Sequence, residues 1–163
     1  MDRLSLKLLH LLENDATLTV NQMATMLGET FDDVAGRIDE LDESRVILRR
    51  KAVINWERTG EDTVVALIEV RVVPQRDVGF SAIALRIARF PEARSVSLVS
   101  GTYDLAVEIV GRSMKDVASF VSEKLAPLEG VQGTTTHFLL RRYKFDGEMF
   151  DDTAPSARLP YAP

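Results

Sequence analysis

Apolar residues near the start of the chain recur at helical spacing. Leu4, Leu8, Leu11 and Leu12 lie at i, i+4, i+7 and i+8, one stripe of an amphipathic helix closed by Asn14-Asp15. Thr19 followed by Gln22 has the spacing of a capping box, and Val20, Met23, Ala24 and Leu27 carry the next stripe up to Gly28. Thr30 and Asp33 repeat the cap spacing ahead of a third stripe at Val34, Ile38 and Leu41, ending near Ser44. Two short helices joined by a Gly-containing turn predict a helix-turn-helix. Two β-prone runs follow, Val46–Leu48 and Ala52–Ile54, bracketing Arg49, Arg50 and Lys51. They predict a winged variant over residues 1–54, with residues 55–63 as linker.

From Thr63 the period changes. Val64–Val73 is β-rich and is stopped by Pro74. A helical stripe follows at Phe80, Ile83, Ala84 and Ile87. Arg94–Ser100 and Leu105–Val110 read as strands around the turn Gly101-Thr102-Tyr103-Asp104. Val117, Phe120, Val121 and Leu125 form a second helical stripe, and Thr134–Tyr143 a last strand. The predicted order is βαββαβ, a ferredoxin-like domain over residues 64–145, with residues 146–163 as a tail. The predicted fold class is therefore α+β.

Composition narrows the function classes. The 163 residues include no cysteine, which removes disulfides, thiolate metal sites and cysteine nucleophiles. No apolar run approaches the ~18 residues of a membrane span, and the N-terminus lacks a signal-peptide pattern. We expect a cytoplasmic protein with no membrane partner. Net charge is −5. Residues 1–60 hold 8 basic and 11 acidic side chains, and residues 61–163 hold 12 and 14, so neither half is basic. That weighs against tight non-specific nucleic-acid binding, which phosphate contacts dominate. No Ser–His–Asp spacing, phosphate-binding glycine loop or HExxH is present, so no catalytic residue, enzyme activity, cofactor or metal is expected. His10 and His137 read as structural or surface residues, and Asp151-Asp152 as a solvated acidic end.

Two short stretches add specificity. Val99–Leu105 contains Gly-x-Tyr-Asp between two strands, and Leu128-Glu129-Gly130-Val131 leads into Thr134-Thr135-Thr136. At this spacing inside βαββαβ, the chain resembles the leucine-/asparagine-responsive regulator family (Lrp/AsnC) over roughly residues 2–145. The resemblance implies a sequence-specific transcription regulator that binds double-stranded DNA and responds to an amino acid or related small molecule. It also implies effector (RAM) domains that pair through their sheets into homodimers, with higher rings such as octamers, and an effector near the Gly-x-Tyr-Asp turn.

Candidate effector residues are Gly101, Thr102, Tyr103, Asp104, Thr134 and Thr136. Gly101 is expected to adopt a backbone conformation other residues resist. Asp104 offers a carboxylate to an ammonium group, Tyr103 an aromatic wall, and the two threonines hydroxyls on one strand face. A plain hairpin turn would look the same. Candidate DNA contacts are Arg37, Arg45, Arg49, Arg50 and Lys51. The expected recognition helix, Phe31–Glu43, is otherwise acidic at Asp32, Asp33, Asp39, Glu40, Asp42 and Glu43, and carboxylates repel phosphate. Two readings follow: a DNA-binding regulator whose weak heads gain avidity from the oligomer, or an oligomeric small-molecule sensor whose helix-turn-helix serves protein contacts. Trp56 is expected to pin the linker to a domain.

Overall fold

The computed structural model describes residues 1–73 and 79–150. The chain divides into two compact units, Met1–Ile54 and the residues from Asn55 onward.

The first unit is three helices. α1 (Arg3–Asn14) is capped by Asp2, whose carboxylate accepts from the Ser5 amide at 2.8 Å. α2 (Val20–Leu27) carries the full reciprocal capping box between Thr19 and Gln22. It stops at Gly28, whose φ of 69° lets the Glu29 amide reach back to the Ala24 carbonyl at 3.0 Å. α3 (Phe31–Glu43) is capped by Thr30. Leu8, Leu12, Met23, Ala24, Val34 and Ile38 bury their side chains against one another. The predicted stripes therefore meet in one small core.

The wing does not form. Residues 46–54 contain no strand, and Val46, Leu48, Val53 and Ile54 are exposed, Leu48 by 76%. An isolated two-stranded ribbon is marginal in water, and β propensity in two three-residue runs supplies no buried face to hold one.

The second unit is built on a four-stranded antiparallel sheet in the order β2-β3-β1-β4. Its strands are β1 (Val64–Val72), β2 (Ala93–Leu98), β3 (Leu105–Gly111) and β4 (Val131–Phe138). α4 (Ser81–Ala88) joins β1 to β2, and α5 (Met114–Ser119) leads from β3 toward β4. The chain is thus α+β with βαββαβ order. Alternate residues of the two central strands, Ala66, Ile68, Val70 and Leu105, Val107, Ile109, are buried under Ile83, Ile87, Val117, Phe120 and Leu125. The opposite face, including Leu67, Glu69, Glu108 and Val110, is half-buried.

Three details depart from the predicted elements. Beyond α5 the chain winds as a π-helix over Phe120–Leu125, with the Ala126 amide bonded to the Val121 carbonyl at 2.8 Å. The last long strand starts earlier than predicted, at Val131, and its paired register ends at Phe138 opposite Ala66, with a final bond from the Leu139 amide to the Val65 carbonyl at 2.9 Å. The first residues assigned to the tail instead complete a hairpin, β6 (Glu148–Met149) pairing with β5 (Lys144–Phe145) at the predicted domain end, turned by Asp146 and Gly147 at φ 50° and 84°. Two successive positive φ values match the tight turns that suit twisted hairpins. Asp151-Asp152 lies outside the described residues.

Candidate functional site

The Gly101–Asp104 turn links β2 to β3 at the sheet end where β1 finishes. Asp104 is the best-connected of its residues. Its amide donates to the Val70 carbonyl at 3.1 Å, its carbonyl accepts from the Val99 amide at 2.9 Å, and its Oδ2 accepts from the Val72 amide at 2.8 Å. One carboxylate oxygen is thus committed to the backbone, at the irregularity between Arg71 and Val72 in the β1–β4 register. Thr134 pairs with Val70 and Thr136 with Ile68 across β4, so Thr134 and Asp104 flank Val70 from opposite sides. Both threonines lie on the helix-facing side of the sheet and are half-buried. Tyr103 is half-buried, while Gly101 and Thr102 are exposed.

Gly101 departs from expectation. Its φ lies outside the left-handed region, and an added Cβ would meet nothing within 4 Å. The turn is closed by Asp104 hydrogen bonds rather than by a special glycine conformation. The glycine the fold requires is Gly130, with φ +91° and an ideal Cβ position 2.5 Å from Ile83 Cδ1. The Val73 amide donates to the Gly130 carbonyl at 2.8 Å, so this close approach also ties the end of β1 to the entry of β4.

In the helical unit the five candidate cations divide by environment. Arg37 bonds Asp2 at 2.9 Å and Glu40 at 2.8 Å. Arg50 bonds Asp42 at 2.9 Å. Arg45, Arg49 and Lys51 are exposed and form no ion pair among the described residues. Arg45 holds φ 58°, and its amide and that of Val46 bond the carbonyls of Asp42 and Leu41 at 3.1 and 3.0 Å. It therefore terminates α3 in the position usually given to glycine.

The helix-free face of the sheet carries a charged group that the residue pattern did not reveal. Glu108 bonds Arg142 at 3.3 Å and lies 3.8 Å from Arg94, and both guanidinium groups stand over the Phe145 ring, at 4.2 and 5.9 Å. These contacts hold the β5–β6 hairpin to the sheet. Nearby, Glu69 and His137 lie 3.2 Å apart. Glu92, just before β2, bonds Lys124 of the π-helix, which lowers its carboxyl pKa. No cluster of His, Cys, Asp or Glu among the described residues has the makings of a metal site. No described helix is long and apolar enough to cross a membrane.

Known proteins now place this arrangement. The Lrp/AsnC ligand binding domain matches residues 65–149, from β1 through the terminal hairpin. The HTH-type transcriptional regulator YugG of Bacillus subtilis is 42% identical over 158 residues, covering 96% of this chain and 95% of that protein. The chain belongs to the Lrp/AsnC family. The family is one of transcriptional regulators rather than enzymes. The leucine-responsive regulatory protein of Rhizobium meliloti is 29% identical over 144 residues, 88% of this chain and 92% of that protein. Among solved structures, a transcriptional regulator of Neisseria meningitidis in complex with L-Met shares the fold at a TM-score of 0.70 and 21% identity, over 89% of this chain and 93% of that one. Escherichia coli AsnC does so at 0.68 and 16%, over 89% and 95%.

Proposed function

We propose that this Lrp/AsnC chain is a sequence-specific DNA-binding regulator whose ligand-binding domain responds to an amino acid or related small molecule. The observation that carries the reading is the near full-length match to an HTH-type transcriptional regulator. In this reading α2 and α3 are the helix-turn-helix, and α3 enters the major groove. Arg45, Arg49 and Lys51 supply phosphate contacts, and Arg37 and Arg50 join them once their acidic partners yield. The effector lies against Tyr103 and the second carboxylate oxygen of Asp104, with Thr134 and Thr136 close by. The helix-free sheet face pairs two chains, and dimers assemble further, up to a ring such as an octamer, so that weak heads act together.

A second reading has its own support. Arg37 and Arg50 are neutralised within their own unit, and the rest of α3 is acidic. On that reading the chain is an oligomeric sensor whose helical unit contacts protein. Fluorescence anisotropy with the DNA upstream of its own gene, across a salt series and with a panel of amino acids, separates the two. A regulator binds at sub-micromolar protein and weakens steeply with salt. Absence of any site preference at low salt would leave the sensor reading standing.

A further inference from the structure

α3 spends most of its side chains inside its own unit. Val34, Ile38 and Leu41 are buried. Asp33 accepts from the Thr30 hydroxyl at 2.6 Å, and Asp42 holds Arg50. Arg37, the only cation of the helix, is held by Asp2 and Glu40. In the N-terminal half three exposed residues are left over: Phe31, Asp32 and Gly36. Phe31 is 51% exposed, and Asp32 has no hydrogen bond or ion pair among the described residues. Glycine is a poor residue for a helix interior. Nothing lies within 4 Å of a Cβ added to Gly36, so packing within the unit does not require it. Gly36 follows Asp32 by four residues and stands on the same helix face. A glycine there lets a ligand come close to the helix backbone beside the Asp32 carboxylate.

We propose that Phe31 and Asp32 are the base-reading residues of this chain and that they select pyrimidines. Phe31 packs on a thymine methyl, Asp32 accepts from the N4 amino group of a neighbouring cytosine, and Gly36 lets α3 seat close to the base edges. The inference rests on the reading of α3 as the helix that enters the major groove, where N-terminal residues meet the bases. The thymine methyl is the one apolar group that the bases present there. A carboxylate only accepts, and the major-groove donors are cytosine N4 and adenine N6. Adenine sets its N7 acceptor beside N6, which repels a carboxylate, so cytosine is the better partner. α3 keeps no unpaired cation for guanine O6 and N7. An acid in the first turn also suits the helix dipole, so the deciding readout is a change of base preference rather than a loss of binding.

The full-length protein is used to select duplexes from a randomised DNA pool at low salt. The expected result is enriched half-sites in which thymine and cytosine are neighbours on one strand. In anisotropy with the enriched duplex, replacing that thymine by uracil removes only the methyl and should weaken binding about fourfold. Replacing the cytosine–guanine pair by adenine–thymine should weaken it about tenfold. Phe31→Ala should abolish the first discrimination and keep the second. Asp32→Asn should invert the second, because asparagine bonds adenine N6 and N7 together. Asp39→Asn removes an equal charge from the same helix and should leave the base preference unchanged. Gly36→Ala should raise the melting temperature yet weaken binding to the enriched duplex. Circular dichroism checks the fold of each variant. The proposal is overturned, with the DNA-binding reading intact, by an enriched motif that lacks the thymine–cytosine step. Base preferences that Phe31→Ala and Asp32→Asn leave unchanged overturn it in the same way. Enrichment of no sequence at all overturns the DNA-binding reading and this inference with it.

Discussion

The Val72 amide donates to Asp104 Oδ2 at 2.8 Å, across 32 positions of sequence. The bond satisfies a donor at the break in the β1–β4 register and fixes the start of β3 against the end of β1. A hydrogen bond to a charged group contributes about 1.5–3 kcal/mol, and removing the acceptor strands the amide. Asp104→Ala should therefore destabilise the sheet unit by roughly that amount in urea unfolding. Asp104→Asn keeps an oxygen acceptor and should lose less. An Ala variant as stable as the parent would remove this structural role. Since Ala perturbs the fold, Asn is the variant that isolates Asp104's part in any amino-acid response.

Gly130 makes a second demand on the same end of the sheet. Its φ of +91° strains any side chain, and an added Cβ would lie 2.5 Å from Ile83 Cδ1, which would have to shift. Gly130→Ala should cost more than about 1 kcal/mol, from backbone strain and the clash together. Ile83→Val removes Cδ1, so the double variant should recover the clash but not the strain. Thermal unfolding of both single variants and the double closes the cycle. Additive losses would show that Ile83 is not what Gly130 accommodates.

Helical and strand periods made most of the elements legible, because Leu4/Leu8/Leu11/Leu12 and the alternation along β3 each record a buried face. What pairs across distance was not legible. Arg37 read as a free cation because its partner Asp2 caps another helix, although Glu40 stands three residues on. Asp104 read as a ligand carboxylate because the Val72 amide has no sequence signature. The 46–54 segment read as a wing because β propensity was counted without a sheet to receive it. Glu92 gave no signal at all, since the Lys124 that bonds it lies 32 positions away on a π-helix that periodicity does not foresee.

Acid should weaken the Glu92–Lys124 contact. The Lys124 ammonium holds the Glu92 carboxyl below its ordinary value near 4.5. A carboxyl lowered by folding contributes stability that is fully present above the unfolded pKa and is lost as pH falls through the folded value. The wild-type advantage over Lys124→Met should thus be constant above about pH 5 and shrink on further acidification. Urea midpoints of both proteins across that range provide the measurement. A gap that does not narrow with acid would mean the ion pair contributes nothing to folding.

Arg45 stands where Gly28 stands at the end of α2, but with a side chain in the left-handed region. That conformation is unfavourable by roughly 1–2 kcal/mol for a non-glycine residue. Arg45→Gly should accordingly stabilise the helical unit, by about 0.5–1 kcal/mol after glycine's greater chain entropy is counted. If Arg45 also contacts phosphate, the same variant should reduce the salt slope of DNA binding by about 1. Higher stability with an unchanged slope would make it a helix terminator only.

The strongest discrimination between the two readings of the helical unit comes from Arg50. Its guanidinium is held by Asp42 at 2.9 Å, on the same α3 that would enter the groove. Both groups are exposed to solvent by 40%, so the pair is weakly held and a phosphate can compete for the arginine. Asp42→Asn removes the competitor and one repelling charge together. Asp39→Asn removes a charge from an exposed position of the same helix without releasing an arginine. On the DNA-binding reading, anisotropy should show Asp42→Asn tightening binding by roughly three- to tenfold at low salt and steepening the salt slope by about 1. Asp39→Asn should tighten it less and leave the slope alone. Equal gains from the two variants would assign the effect to net charge instead of Arg50. No gain from either would mean that α3 does not approach phosphate, and the protein-contact reading would then account for its acidic surface.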